Sequence, residues 1–422
     1  MNIVGLITEY NPFHKGHEYH IHRAKELTNA DACVVIMSGN YVQRGTPAFV
    51  NKHTRAAIAL NHGADIIFEL PLPFACSSAE YFATAAVTLL HKMGCINYIC
   101  FGCECDDISA LTSIAKVLAN AKHDNTHKLN TLIKENLKTG LPYATARGNA
   151  LATILGESYS HIVDKPNNIL AIEYLKTLTL LNSPIQPVAI PRTNAAYHHH
   201  DDNDALYSAS SLRSVITNLN TENQDILDEL ITFDVTYTDI LGHTAPINED
   251  DFSSLLGDKL LSLSLQPDGI EKLTTYAGID TVLANRMLSK EILYRYKSFS
   301  DLIGKLKKKN IAYTSLSRAL LALTLGITKD NMNDYLSNSI SSYVKLLGFK
   351  KNASFVLNEI KNKGNLTIIG QLSEVKNNLS LTDIDHRMLS HNLYCDEIYN
   401  MVIRQKYKTD IPSEYTRKLK IV

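Results

Sequence analysis

The sequence predicts an α/β fold, with a Rossmann-like parallel sheet followed by a mostly helical domain. Two patterns carry this. Up to about residue 215, short apolar runs alternate with stretches of helical spacing, and runs that are apolar throughout suit parallel strands covered on both faces. Beyond that point strand patterns nearly vanish and the helical period dominates. The chain of 422 residues has room for more than one domain. The expected division is 1–215 and 216–422.

The elements follow in order. NIVGLI (2–7) is a buried strand, and His17 to Leu27 is a polar helix. ACVVIMSG (32–39) is a second strand closed by glycine. Thr54 to Asn61 is a helix stopped at His62-Gly63, and ADIIFELP (64–71) is a third strand closed by proline. Ser78 to Met93 is a helix, INYICFG (96–102) a fourth strand, and QPVAIPR (186–192) continues the sheet. Later, Ile216 to Asp234, Lys259 to Leu265, Ile279 to Lys297, Ser315 to Leu325, Ile340 to Leu347 and Asp385 to Ile403 read as helices. NLTIIG (365–370) is the one strand expected there, and Thr238 to Asp251 reads as a linker.

Composition narrows the function. The hydrophobic fraction is 45%, the charged fraction 20% and the net charge -1, so overall charge gives no general affinity for nucleic acid, and any such partner must meet a local basic patch. Seven cysteines form no framework, and Cys100, Cys103 and Cys105 lack a second pair at zinc spacing, so they read as reduced thiols. The apolar start, Ile3 to Ile7, is too short for a signal peptide and runs into Glu9. No apolar stretch approaches the ~20 residues that span a bilayer, so a cytoplasmic protein with no membrane partner is expected.

The chemistry concentrates in NPFHKGH (11–17), between the first strand and a helix start. In an open parallel sheet, ligands bind beyond the carboxyl ends of the strands. A helix start presents free N–H groups to a phosphate. Gly16 lets a phosphate or an adenine approach the backbone. His14 and His17, three apart, face the same way and can both reach one group. If that group is a nucleotide α-phosphate, they stabilise charge developing there. Zinc is a weaker reading, since His20 and His22 lie nearby without a well-placed Cys or carboxylate. HHHDDND (198–204) is rich in ligands, but consecutive residues rarely converge on one centre, so no protein-held metal is expected.

The run GLITEYNPFHKGH (5–17) resembles the HxGH signature of the nucleotidyltransferase superfamily. MSGNYVQRGTPAFVNKHTRAAIALNHGADIIFELP (37–71), FGCE (101–104), PNNILAIEYLK (166–176) and SASSLR (208–213) resemble, more narrowly, the bacterial tRNA(Met) cytidine acetate ligase family. The likeness is dense over 1–215 and patchier beyond. Departures from the family pattern include Asn194 and Ala195, where a glycine is expected, and Asn310, where an arginine is expected. The resemblance implies an enzyme that activates acetate with ATP as acetyladenylate and acetylates the wobble cytidine of elongator tRNA(Met), with Mg2+ accompanying the nucleotide. It implies His14 and His17 as catalytic residues. For ATP it implies the run of Ile7, Thr8, Glu9, Tyr10, Asn11, Pro12, Phe13, His14, Lys15, Gly16, His17, Glu18, Tyr19 and His20. It adds Gly102, either Asn167 or Asn168, Arg192 and Arg213.

Further positions stand open. Lys52 and Arg55 share a helical turn and either bind tRNA, acetate or phosphate or simply face solvent. Gln43 and Arg44 sit in a loop able to close over the site. Lys305, Lys307, Lys308, Lys309 and Arg318, then Lys345, Lys350 and Lys351, then Arg417, Lys418 and Lys420, with Tyr313 and Phe349 between, form candidate tRNA patches. Two rival functions remain: transfer of AMP to a small phosphorylated metabolite, and a catalytically silent RNA-binding protein.

Overall fold

The computed structural model describes residues 1–105, 107–122, 124–160, 162–191, 209–217, 246–375 and 381–422. The strands are β1 (Ile3–Thr8), β2 (Ala32–Ser38), β3 (Tyr41–Val42), β4 (Thr46–Pro47), β5 (Ile66–Leu70), β6 (Tyr98–Cys103), β7 (Gln186–Pro191), β8 (Tyr343–Phe349), β9 (Thr367–Ile369) and β10 (Lys420–Ile421). The main sheet runs β10-β8-β5-β2-β1-β6-β7, with β9 also beside β8. β5, β2, β1, β6 and β7 are mutually parallel. The helices before residue 218 are α1 (Lys15–Thr28), α2 (Lys52–Asn61), α3 (Leu72–Ala75), α4 (Ala79–Lys92), α5 (Ile108–Ala121), α6 (Lys128–Lys138), α7 (Tyr143–Leu155), α8 (Pro166–Leu180) and α9 (Ala209–Thr217).

Alternation along the strands builds two apolar layers. Val4 and Leu6 of β1 and Val35 and Met37 of β2 point to one face, where they meet Ile21 of α1, Ile58 of α2 and Leu212 of α9. Ile3, Val34, Ile36 and Phe101 point to the other and meet Phe82 of α4 and Tyr174 of α8. That second layer continues without a break into the carboxy-terminal helices through Leu316, Tyr335 and Tyr399. The core therefore crosses the expected boundary at residue 215, and so does the sheet.

Strand β8 corrects one expectation. Ile340 to Leu347 reads as helical, yet Tyr343–Phe349 is a strand lying antiparallel to β5. β9 and β10 cover its outer edge. A strand buried on both faces loses its alternation, and periodicity then cannot tell it from a buried helix. Ile279 to Lys297 is likewise two short helices, Thr281–Met287 and Lys290–Leu293, the second entered through an extended Ser289. The expected linker is also packed where it is described. Ile247 is buried and its N–H donates to the Phe49 carbonyl at 3.2 Å, and Asn248 forms a capping box with Asp251. Its residues 238–245, like most of the helix expected over Ile216 to Asp234, lie outside the described residues.

The two halves are also joined by charge. Lys52, at the start of α2, is fully buried, and its Nζ donates to Glu69 Oε1 at 2.8 Å and to Asp396 Oδ2. Glu414 Oε2 lies 3.5 Å from the same Nζ. Lys345 of β8 pairs with Glu414 and lies 3.4 Å from Glu69, while His53 Nε2 meets Glu414 Oε1 at 2.6 Å. Three carboxylates thus face two lysines. Burial, with the charges of Glu69 and Glu414, pushes Asp396 up to about 7, outweighing the lysines. For Glu414 burial acts in the same upward direction, but Lys52 and Lys345 outweigh it and hold that carboxylate below its usual range. Lys52 and Lys345 are therefore structural cations rather than candidates for RNA or acetate.

A proton bound by folded Asp396 is lost from the unfolded chain near pH 4. This group's contribution to stability is thus present at low pH and disappears as pH rises from about 4 through about 7. Asp396→Asn removes that dependence. Urea denaturation should find the variant less impaired relative to wild type at pH 8 than at pH 5.5, whereas an equal difference at both would contradict a protonated Asp396. Lys52→Met should cost about 3–5 kcal/mol at either pH, because it strands buried carboxylates.

Candidate active site

A cavity of about 790 Å³ opens at the carboxyl ends of β1, β6 and β7, where a parallel sheet of this kind receives ligands. Its size suits a nucleotide with room to spare.

The histidine pair is held by its own backbone. His14 is the N-cap of α1, in extended conformation, and its Nδ1 accepts the Gly16 N–H at 3.1 Å. His17 reaches back, its Nδ1 accepting the His14 N–H at 3.3 Å. The result is a capping box made of imidazoles. A neutral ring whose Nδ1 accepts carries its proton on Nε2. Both rings line the cavity and stack with centroids 3.7 Å apart, so two N–H donors of fixed tautomer are brought together. Beneath them, Tyr10 and Phe13 are buried, with ring centroids 5.0 and 5.6 Å from His17.

The rest of the expected ATP run divides by position. Ile7, Thr8, Glu9, Tyr10, Asn11, Gly16, Tyr19 and His20 also line the cavity. Pro12, Phe13, Lys15 and Glu18 are not among its walls. Pro12 and Phe13 are buried, and Glu18 turns to His62, whose Nδ1 lies 2.9 Å from its Oε1. Asn11 also has a structural task, accepting the Phe49 N–H at 2.7 Å. Burial raises the Glu9 carboxyl, against the Gln43 N–H that donates to it at 2.8 Å and the nearby charges of Arg44, Arg213 and Arg55.

The two asparagines separate cleanly. Asn168 is buried. Its Oδ1 accepts the N–H groups of Glu104 and Cys105 at 2.8 and 3.1 Å, and its Nδ2 donates to the Ile162 carbonyl at 3.0 Å. Asn167 lines the cavity, its Nδ2 donating to Glu104 Oε1 at 2.6 Å. Gly102, at the end of β6, also lines it. Arg213 enters from α9, donating to the Asn11 carbonyl and to Ser210 Oγ at 3.2 Å, and both side chains reach the cavity wall. Arg192 and the HHHDDND run (198–204) lie outside the described residues. Among the described residues, no three His, Cys, Asp or Glu side chains gather as a metal cluster, and no helix is long and apolar enough to cross a membrane.

Several expectations change. Arg55 is buried, with Nε donating to the Val50 carbonyl at 2.8 Å and the remaining nitrogens to the carbonyls of Glu9, Ser38 and Gly39. It offers nothing to RNA, acetate or phosphate. Gln43 and Arg44 belong to the β3–β4 hairpin, which is fixed from behind. Ser317 Oγ donates to the Gly45 carbonyl at 2.8 Å, and Gly45, at a φ of 80°, packs so tightly that a Cβ would sit 2.4 Å from the Arg318 nitrogen.

The helix Tyr313–Leu325 supplies a wall that sequence reasoning missed, with Thr314, Ser315 and Arg318 on the cavity. Arg318 was visible as part of a basic cluster, but nothing local to it points across some 270 residues to Gln43.

The whole-chain comparisons agree with this geometry. The model of the HIGH Nucleotidyl Transferase family matches residues 1–413. A tRNA(Met) cytidine acetate ligase of Clostridium novyi (strain NT) is 38% identical over 389 residues, 91% of this chain and 93% of that relative. One of Acetivibrio thermocellus is 32% identical over 432 residues, 100% of each. The crystal structure of Thermotoga maritima TmcAL bound with alpha-thio ATP has a TM-score of 0.84 and 24% identity, covering 100% of this chain and 99% of that one, which shows a shared fold. The chain therefore belongs to the HIGH nucleotidyl transferase family and, within it, to the family of the tRNA(Met) cytidine acetate ligases.

Proposed function

We propose that the chain is an ATP-dependent ligase that activates acetate and acetylates the wobble cytidine of elongator tRNA(Met), giving N4-acetylcytidine. The observation that carries this reading is the pair of Nε2–H donors on His14 and His17 at the start of α1. Acetate is itself the nucleophile, so no protein nucleophile is required. One of its oxygens attacks the α-phosphorus of ATP, the bond to the β-phosphate breaks, and pyrophosphate leaves. Charge builds on the α-phosphate oxygens in that step, and two preorganised donors stabilise it. The cytidine N4 then attacks the acyl carbon. The carbon–oxygen bond to AMP breaks, and N4 gives up a proton.

The other walls fit the nucleotide. Gly102 ends β6 without a side chain, Asn167 offers an amide, and Arg213 brings a guanidinium suited to phosphate oxygens. Arg192 joins this set by resemblance alone. Among the described residues the walls are neutral or cationic apart from Glu9, so Mg2+ would be held mainly by the phosphates, where it would neutralise charge. The exposed lysines 305 and 307–309 give a near-neutral protein a place for tRNA phosphates.

The test is ATP–pyrophosphate exchange without tRNA. Exchange should depend on acetate and fall about 10²–10³-fold in His14→Ala and in His17→Ala. Exchange absent with and without tRNA would leave AMP transfer to a metabolite as the better reading. A second comparison separates the asparagines. Asn167→Ala should raise the KM for ATP with stability little changed. Asn168→Ala should instead lower stability by about 1–3 kcal/mol, since it orphans buried N–H groups, as urea denaturation would show.

A further inference from the structure

The cavity reaches over the edge of the sheet from one face to the other, and the two ends differ in chemistry. On the α1/α9 side stand the histidine pair, Ser210 and Arg213. On the α4/α8 side the walls combine aromatic rings with aliphatic side chains and Asn167. Phe82, Phe101 and Tyr174 belong to the other apolar layer and all reach the cavity, with the Phe101 and Tyr174 rings 5.8 Å apart. The helix Tyr313–Leu325 packs into that same layer through Leu316 and Leu320, and brings Thr314 and Arg318 to the cavity wall.

The direction of the reaction assigns the ends. Displacement at phosphorus is in line, so the entering acyl oxygen lies opposite the departing pyrophosphate. Pyrophosphate suits the α9 end, where Arg213 stands. With Gly102 and Asn167 placing the nucleotide on the β6/α8 wall, the acyl group lies toward α4 and the helix Tyr313–Leu325, and the amine that receives it must approach from there.

We infer that the end of the cavity between α4 and the helix Tyr313–Leu325 is the acceptor subsite, which takes a nucleobase swung out of a single-stranded RNA loop, with Thr314 and Arg318 as its polar contacts. The inference rests on the proposed function. The Phe82 ring of α4 offers a planar base an apolar wall, and hydroxyl and guanidinium groups read its polar edge. The entrance agrees. Lys307, Lys308 and Lys309 are exposed and lead directly into this helix, whose first residue, Tyr313, is itself 39% exposed. Arg318 Nη1 also lies 3.4 Å from the Gln43 carbonyl, so the contact set ties the helix to the hairpin beside Glu9.

The two half-reactions separate this role from others. Arg318→Ala and Thr314→Val, in the full chain, would be compared with wild type in tRNA-free ATP–pyrophosphate exchange and in single-turnover acetyl transfer to unmodified tRNA(Met). Loss of one polar contact to the base should lower transfer at subsaturating tRNA about tenfold or more, with exchange within about twofold of wild type. Retained exchange also shows that the variants fold. A parallel fall in both reactions would overturn the inference, assigning these residues to ATP, acetate or the hairpin. Unchanged transfer would overturn it as well. If wild type makes no N4-acetylcytidine, the proposed function itself fails, and the subsite with it.

Discussion

Helix α2 carries two cations that water does not reach, and the rest of the molecule is arranged around them. Arg55 gathers the carbonyls of Glu9, Ser38, Gly39 and Val50. A planar fork of five donors is the side chain able to serve so many acceptors together. Three of those carbonyls lie at the ends of β1 and β2 and the fourth just before α2, so one guanidinium sets the path of the loops that carry Glu9, His14 and Gln43. Burial pushes Arg55 down to about 10, so it keeps its charge at neutral pH. Lys52, one turn earlier, binds Asp396 and Glu69 and so ties the sheet to the helix Asp383–Tyr407. Buried charges are tolerable only with full sets of partners. The active-site loops and the carboxy-terminal half are thus held by one helix.

The same two residues show where sequence reasoning stops. Lys52 and Arg55 sit one turn apart after a glycine-rich segment, which is what a ligand-binding pair looks like in one dimension. The burial of Lys52 depends on Asp396 and Glu414, some 340 residues or more away, and that of Arg55 on four carbonyls gathered by the loops around it, and no local pattern reports either. The first five parallel strands were legible because apolar runs between glycine and proline punctuation leave little choice. β8 was not, since its burial on both faces erased its period. The histidine pair was legible down to the shared target of its two rings, because helix geometry alone brings His14 and His17 together. Their tautomer was not, because it follows from the Gly16 and His14 N–H groups that each Nδ1 accepts. Asn167 and Asn168 were indistinguishable as neighbours on a helix start. A rotation of about 100° around α8 separates them, placing Asn168 under Glu104 and Cys105 and Asn167 on the cavity.

This construction bears on why the chain is so large for a phosphate-binding sheet. An acyl adenylate is a mixed anhydride and reacts with water unless water is kept away. The α1/α9 side of the cavity needs only the first 217 residues to present its histidines and Arg213. The α4/α8 side is incomplete without the helix Tyr313–Leu325, which closes against the β3–β4 hairpin through Ser317 and Gly45. That hairpin in turn donates the Gln43 N–H to Glu9, at the junction of the two ends. The carboxy-terminal half is therefore part of the cavity itself. It forms part of the wall within which the activated acyl group would be kept, and the exposed Lys307, Lys308 and Lys309 lie just before that wall's helix in the chain. Shelter for the intermediate and access for the acceptor are then built from one helix, and a substitution that loosens its contact with the hairpin would disturb both together.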